Sequence, residues 1–118
     1  MPRFMTLVRI DERNLSEQEF DAGFEERMGA LFEEMTKAGA MLDTAGLAPT
    51  SEATRMTWSG GKVSYTDGPF TESKEVIGGY CIAQCKDKAE AMEWTRRFLQ
   101  CHPENVSFTV EVREIIGG

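Results

Sequence analysis

The sequence predicts an α+β domain in which two helices cover one face of an antiparallel sheet. Three observations point there. Two segments carry apolar residues at spacings of three and four, each opened by a capping signal. A short β-rich run precedes each of them, and a Gly-Gly pair sits between two further β-rich runs.

The elements follow in chain order. Arg3 to Ile10, "RFMTLVRI", is short and β-rich and reads as a first strand. "DERN" breaks it. Ser16 opens a helix with Glu19 three residues on as its capping-box partner, and Leu15 and Phe20 form a hydrophobic staple. Phe20, Phe24, Met28, Leu31, Phe32 and Met35 make one apolar stripe, ending near Lys37 and Gly39. "AMLDTAGLAP" is a strand stopped by Pro49. Ala53–Ser59 and Lys62–Thr66 flank Gly60-Gly61 and predict a hairpin. Gly78–Cys85, "GGYCIAQC", lacks clean alternation and predicts a strand buried on both faces. Asp87 caps a second helix, with Glu90 three positions later. Its buried stripe is Ala91, Trp94, Phe98 and Cys101, and Pro103 marks its end. Val106–Ile115 is the last strand. The order β, α, β, hairpin, β, α, β is that of a split βαβ, ferredoxin-like domain. Large apolar residues occupy both alternations of its strands, among them Phe4, Leu7, Trp58, Tyr80, Ile82, Phe108 and Val110. A second copy of the chain packed on the helix-free face accounts for them.

The chain has 118 residues, of which 41% are apolar, which predicts a single packed domain spanning residues 1–118. With 13 Lys and Arg against 20 Asp and Glu, the net charge is -7. Such a surface repels phosphate backbones and anionic lipid heads, so neither nucleic acid nor membrane is expected as a partner. No apolar run approaches the roughly 20 residues of a membrane span. The N-terminus reads as a strand and not as a signal peptide. On a shared strand Cys81 and Cys85 lie about 13 Å apart, too far to bridge. With Cys101 the count is odd, and the expectation is a reduced, cytoplasmic protein.

Thr66 to Tyr80, "TDGPFTESKEVIGGY", is the most distinctive stretch. It resembles the signature of the DGPF-motif branch of the YCII-related family. "KAGAMLDTAGLAPTSEATRM", "AEAMEW" and "VEVREI" are similar to that branch as well, so the resemblance runs from about Arg3 to Ile115. It implies a ferredoxin-like fold that forms a dimeric α/β barrel. Related barrels include muconolactone-isomerase-like enzymes and small cofactor-free monooxygenases, with ligands between helices and sheet or in the barrel cavity. Genes of this branch often lie beside extracytoplasmic-function sigma factors, which implies a regulatory context and a sigma-factor-linked protein partner. Members of the wider family carry a His–Asp pair, and this chain departs from them: its one histidine is His102.

Each candidate residue has two roles open to it. Asp67, ahead of Gly68 and Pro69, accepts backbone N–H bonds in a turn, or acts as a general base at a cavity mouth. Phe70 anchors the loop or lines a ligand site. Lys74 holds a carboxylate ligand and Glu75 accepts a proton, or both, like Glu72, are solvated loop charges. Gly78-Gly79 allows a bulge or a close approach of backbone or ligand. Tyr80 lines a cavity or packs. Cys101 and His102 diverge by about 100° on a helix, so either Cys101 packs and His102 ends the helix, or a break supplied by Pro103 lets them form a relayed pair; the first is expected. One histidine and two cysteines of one strand do not assemble a metal site, and no cofactor is implied. Two functions result: binding or conversion of a small molecule in an internal cavity with Asp67 as acid/base, or a non-enzymatic regulatory partner in a sigma-factor system.

Overall fold

A computed structural model of the chain describes residues 1–13 and 21–117. The Ser16–Glu19 capping box and the Leu15–Phe20 staple fall outside the described residues.

The strands are β1 (Arg3–Ile10), β2 (Met41–Gly46), β3 (Thr54–Ser59), β4 (Lys62–Asp67), β5 (Val76–Gln84) and β6 (Thr109–Glu114). The helices are α1 (Phe24–Lys37) and α2 (Lys88–Gln100). The main sheet has the order β2-β5-β1-β6, antiparallel throughout, and β3-β4 forms a separate hairpin. This is the ferredoxin-like α+β arrangement, with the hairpin inserted between its halves.

Local chemistry explains the boundaries. The Asp87 side chain accepts the Glu90 N–H at 2.9 Å and starts α2. Helix α1 begins at Phe24, because Asp21 to Gly23 are not helical. It closes in a Schellman motif: Ala40 N–H reaches Met35 O at 2.9 Å and Gly39 N–H reaches Thr36 O at 3.0 Å, with Gly39 at φ 74°. Gly60 and Gly61 have φ of 58° and 76°, the two left-handed positions of a type I′ hairpin turn.

Period two divides the main sheet into two faces. Phe4, Thr6 and Val8 share a face with Cys81 and Ala83 of β5 and with Val112 of β6, and this face meets the helices. Phe4, only 2% exposed, packs with Leu31, Met35, Ala83, Cys85, Ala91 and Cys101. Leu7 and Arg9 lie on the other face with Tyr80, Ile82 and Glu111. Strand β5 is central, yet it is buried on the helix side only: nothing in the described chain forms a second layer, and Ile77 is exposed. The last strand is shorter than Val106–Ile115, since residues 106–108 remain outside the ladder.

The β3-β4 hairpin has two unlike sides. The hairpin is anchored at its base, and its Met56, Trp58, Val63 and Tyr65 face one side, all exposed. Its other side carries Arg55, Thr57, Lys62 and Ser64. No helix among the described residues is long and apolar enough to cross a membrane.

Candidate functional site

The motif from Asp67 to Tyr80 is divided among four surroundings. At its start, Asp67 stands opposite Thr54 in the β3-β4 ladder and accepts the Thr54 hydroxyl at 2.8 Å. It is exposed, and it lines none of the three cavities described below. Gly68 donates its N–H to Ala53 O at 2.8 Å, and the Gly68-Pro69 peptide is cis. A Cβ on Gly68 would lie 1.7 Å from Thr50 O.

Glu12 fixes the same residue through its other polar groups. Its carboxylate accepts from Thr50 N–H at 2.9 Å and from Thr50 Oγ1 at 2.7 Å. Pro69 and Phe70 close a crevice of about 50 Å³ over Thr50 and residues 11–13. Phe70 is 7% exposed, with the Arg55 guanidinium 3.7 Å from its ring centre. Arg55 also reaches Glu72 and Ser73, both at 3.2 Å, which gives Glu72 a partner.

Phe70 and Glu75 then meet on the helix-free face. They border an open depression of about 470 Å³ with Leu7, Arg9, Arg55, Ile77, Glu111 and Arg113. Arg9 stands between Glu75 at 3.6 Å and Glu111 at 3.5 Å. Lys74 is exposed and lines none of these cavities; its charge helps hold the Asp11 carboxyl low, after the larger effect of the Arg13 hydrogen bond.

The end of the motif forms the floor of a different space. Gly78, Gly79 and the backbone of Tyr80 line a partly open cavity of about 260 Å³ between the sheet and both helices. Gly78 is the bulged residue, passed over between the pairs Val8–Gly79 and Arg9–Ile77. At Gly79 a Cβ would come within 3.0 Å of Ala45 O. The pair therefore provides both the bulge and the close backbone approach. Tyr80's side chain points away from this space, and its hydroxyl donates to Asp43 Oδ2 at 2.8 Å on the helix-free side.

Met28, Phe32, Trp94 and Phe98 form the cavity roof, and Thr6, Thr44 and Thr95 are its polar groups. Among the described residues that line it, none carries a charge. Burial pushes the Cys81 thiol up to about 11, with Cys85 and Asp43 adding to the effect, so the thiol there stays protonated. The sequence contained a signal for the floor: Thr6 interrupts an otherwise apolar face of β1. It did not single out Thr6 or Thr44, because a threonine on a strand is unremarkable until a roof stands over it, nor Thr95, which sits on α2 between the apolar positions of its buried stripe.

His102 does not line the cavity and sits behind its roof residue Phe98. Its ring packs at 4.7–4.9 Å from the rings of Phe24, Phe98 and Phe108. Nδ1 stands 3.0 Å from Phe98 O, and a carbonyl only accepts, so Nδ1 carries the hydrogen. Burial lowers the His102 pKa, opposed by the carbonyls of Phe98 and Leu99. A depressed folded pKa means stability present above the unfolded value of about 6.5 and lost as pH falls through the window below it. The melting temperature is expected to drop more between pH 7.5 and pH 5.5 in the wild type than in His102→Phe. Parallel pH profiles from differential scanning calorimetry would refute this.

Comparison with known proteins adds two findings. A family model described as the YCII-related domain matches residues 3–116. A curated relative from Rhizobium meliloti (strain 1021), described as "Uncharacterized protein R00369", is 30% identical over 83 residues, covering 70% of this chain and 67% of the relative.

Proposed function

The chain belongs to the YCII-related family, with a match that runs almost end to end, and on that premise we propose that it binds a small, largely apolar molecule in the helix-side cavity and acts as a homodimer. One observation carries the ligand half: a partly open space of about 260 Å³ beneath the helices, to which none of the described lining residues brings a charge. An apolar cavity of about 150 Å³ already takes up benzene, so this one suits a molecule of one or two rings. The thermal shift with ethylbenzene tests it. At about ten times Kd the wild type should gain about 1.4 kcal/mol, or about 5 °C. Ala91→Leu, which places three more carbons in the cavity wall, should abolish the shift. An equal shift in both proteins would remove the cavity from consideration.

The second copy rests on the hairpin. Met56 is 64%, Tyr65 67% and Trp58 73% exposed, on one face, with Val63 beside them. An isolated two-stranded hairpin with a bare apolar face gains stability from cover. At the roughly 150–250 Å² an aromatic side chain can bury, the four offer about 400 Å² per protomer. An isologous contact uses the face twice and covers as much of the partner, about 1,600 Å² in all, which is the size of a standard stable interface. The helix-free stripe of Leu7, Tyr80 and Ile82 offers a matching apolar surface.

For Asp67 the bond to Thr54 supports a hairpin-closing role over acid/base work. Asp67→Asn keeps an acceptor oxygen, so stability should change by less than about 1 kcal/mol and ethylbenzene binding should not change. Lost binding or turnover at an unchanged melting temperature would restore the carboxylate as a functional group.

A further inference from the structure

The proposed cavity contains three hydroxyls, and their hydrogen bonds restrict what they can do next. Thr95 Oγ1 donates to Ala91 O at 2.8 Å. Thr44 Oγ1 donates to Tyr80 O at 3.0 Å. Each has its one hydrogen committed to the backbone and offers only lone pairs to a ligand. The hydroxyl of Thr6, in the middle of the floor on the central strand β1, has no hydrogen-bond partner among the described residues. It faces the cavity free to donate or accept.

Two classes of ligand are thereby disfavoured. A carboxylate would lose its hydration in a space that supplies no cation and a single free donor. A protonated amine would do so without an anion, since the Cys81 thiol stays neutral. A purely apolar ring would fill the volume and leave Thr6 without a partner, which costs binding free energy relative to water. A neutral hydroxyl donor satisfies threonine oxygens that have lone pairs to give. We infer that this cavity selects a neutral, mostly apolar molecule bearing one hydroxyl, of the phenol or alcohol class, anchored by Thr6. The inference rests on the helix-side cavity being the ligand site.

Calorimetric titration of the full chain with four probes of one shape tests it: 4-ethylphenol, 4-ethylanisole, ethylbenzene and 4-ethylbenzoate. The Trp94 indole N–H in ¹⁵N–¹H spectra reports whether each enters the cavity. The expected order places 4-ethylphenol first, because its hydroxyl both donates to a threonine lone pair and accepts from Thr6. 4-Ethylanisole, whose ether oxygen only accepts, comes next, ethylbenzene is about tenfold weaker than the phenol, the scale of one hydrogen bond, and 4-ethylbenzoate does not bind. Thr6→Val keeps the side-chain shape and should weaken 4-ethylphenol about tenfold while tightening ethylbenzene, because no hydroxyl is then left without a partner. Equal affinity of 4-ethylphenol and 4-ethylanisole overturns the hydroxyl requirement. So does binding of 4-ethylbenzoate as tight as 4-ethylphenol, or an unaffected Thr6→Val. In those cases a shifted Trp94 signal leaves the cavity as the binding site. If no probe moves Trp94, the cavity itself is refuted, and the ligand class with it.

Discussion

Gly68→Ala is expected to lower stability by about 3 kcal/mol or more, the range of an overpacked, immobile site. The added carbon would lie 1.7 Å from Thr50 O, and the neighbouring bonds oppose retreat. That carbonyl accepts Ala53 N–H at 2.9 Å, while Ala53 O accepts Gly68 N–H at 2.8 Å. Glu12 fixes Thr50 by two further bonds. The loop must therefore open, which exposes Phe70 and releases Arg55 from its ring. At about 4 °C per kcal/mol for a chain of this size, the melting temperature should fall by about 10 °C or more. Gly29→Ala is the internal control. It sits within α1 with open space around its missing Cβ, so it should raise stability by about 0.5–1 kcal/mol. If the two variants melt within 2 °C of each other, the clamp around Thr50 does not hold the loop.

Trp58→Ser combined with Tyr65→Ser should convert the proposed dimer to monomer. Aromatic anchors at an interface centre are worth about 2 kcal/mol or more each, and a two-fold contact counts each one twice. The dissociation constant should rise by at least about a thousandfold. Light scattering at 10 μM should then show one chain in place of two. The hairpin keeps its Gly60-Gly61 turn and the Asp67–Thr54 bond, so the fold should survive, and circular dichroism checks it. A wild type that scatters as a monomer at 100 μM, or a variant that stays dimeric, ends the proposal that this face binds a second copy.

These two predictions draw on different kinds of information. The hairpin was legible: β-rich runs around Gly60-Gly61 specify a two-residue turn, and period two then assigns Met56, Trp58, Val63 and Tyr65 to one face. The Gly68 clamp was not. Its partners Thr50 and Glu12 are 18 and 56 residues away in sequence, and no local pattern connects them. Helix α2 started where the Asp87 cap placed it, because capping is a contact between near neighbours. The two-sided burial expected of β5 failed on one side, because composition reports how apolar a strand is, not how many layers cover it.

The candidate site divides in the same way. The sequence determined the strand–helix order, the capacity of Gly78-Gly79 for a bulge or a close backbone approach, and the prominence of "DGPFTESKEVIGGY". Each depends on backbone preference or on the period of a helix or strand, which act over a few residues. Only the tertiary structure decided where those residues ended up. It directed Asp67 to Thr54, placed Glu75 beside Arg9 on the open face, and turned Tyr80's hydroxyl to Asp43. It also set Thr6 and Thr44 of the sheet opposite Met28, Phe32, Trp94, Thr95 and Phe98 of the helices. A cavity is the gap left between packed layers, so its shape depends on side chains up to about 90 residues apart in the chain, and only folding brings them together.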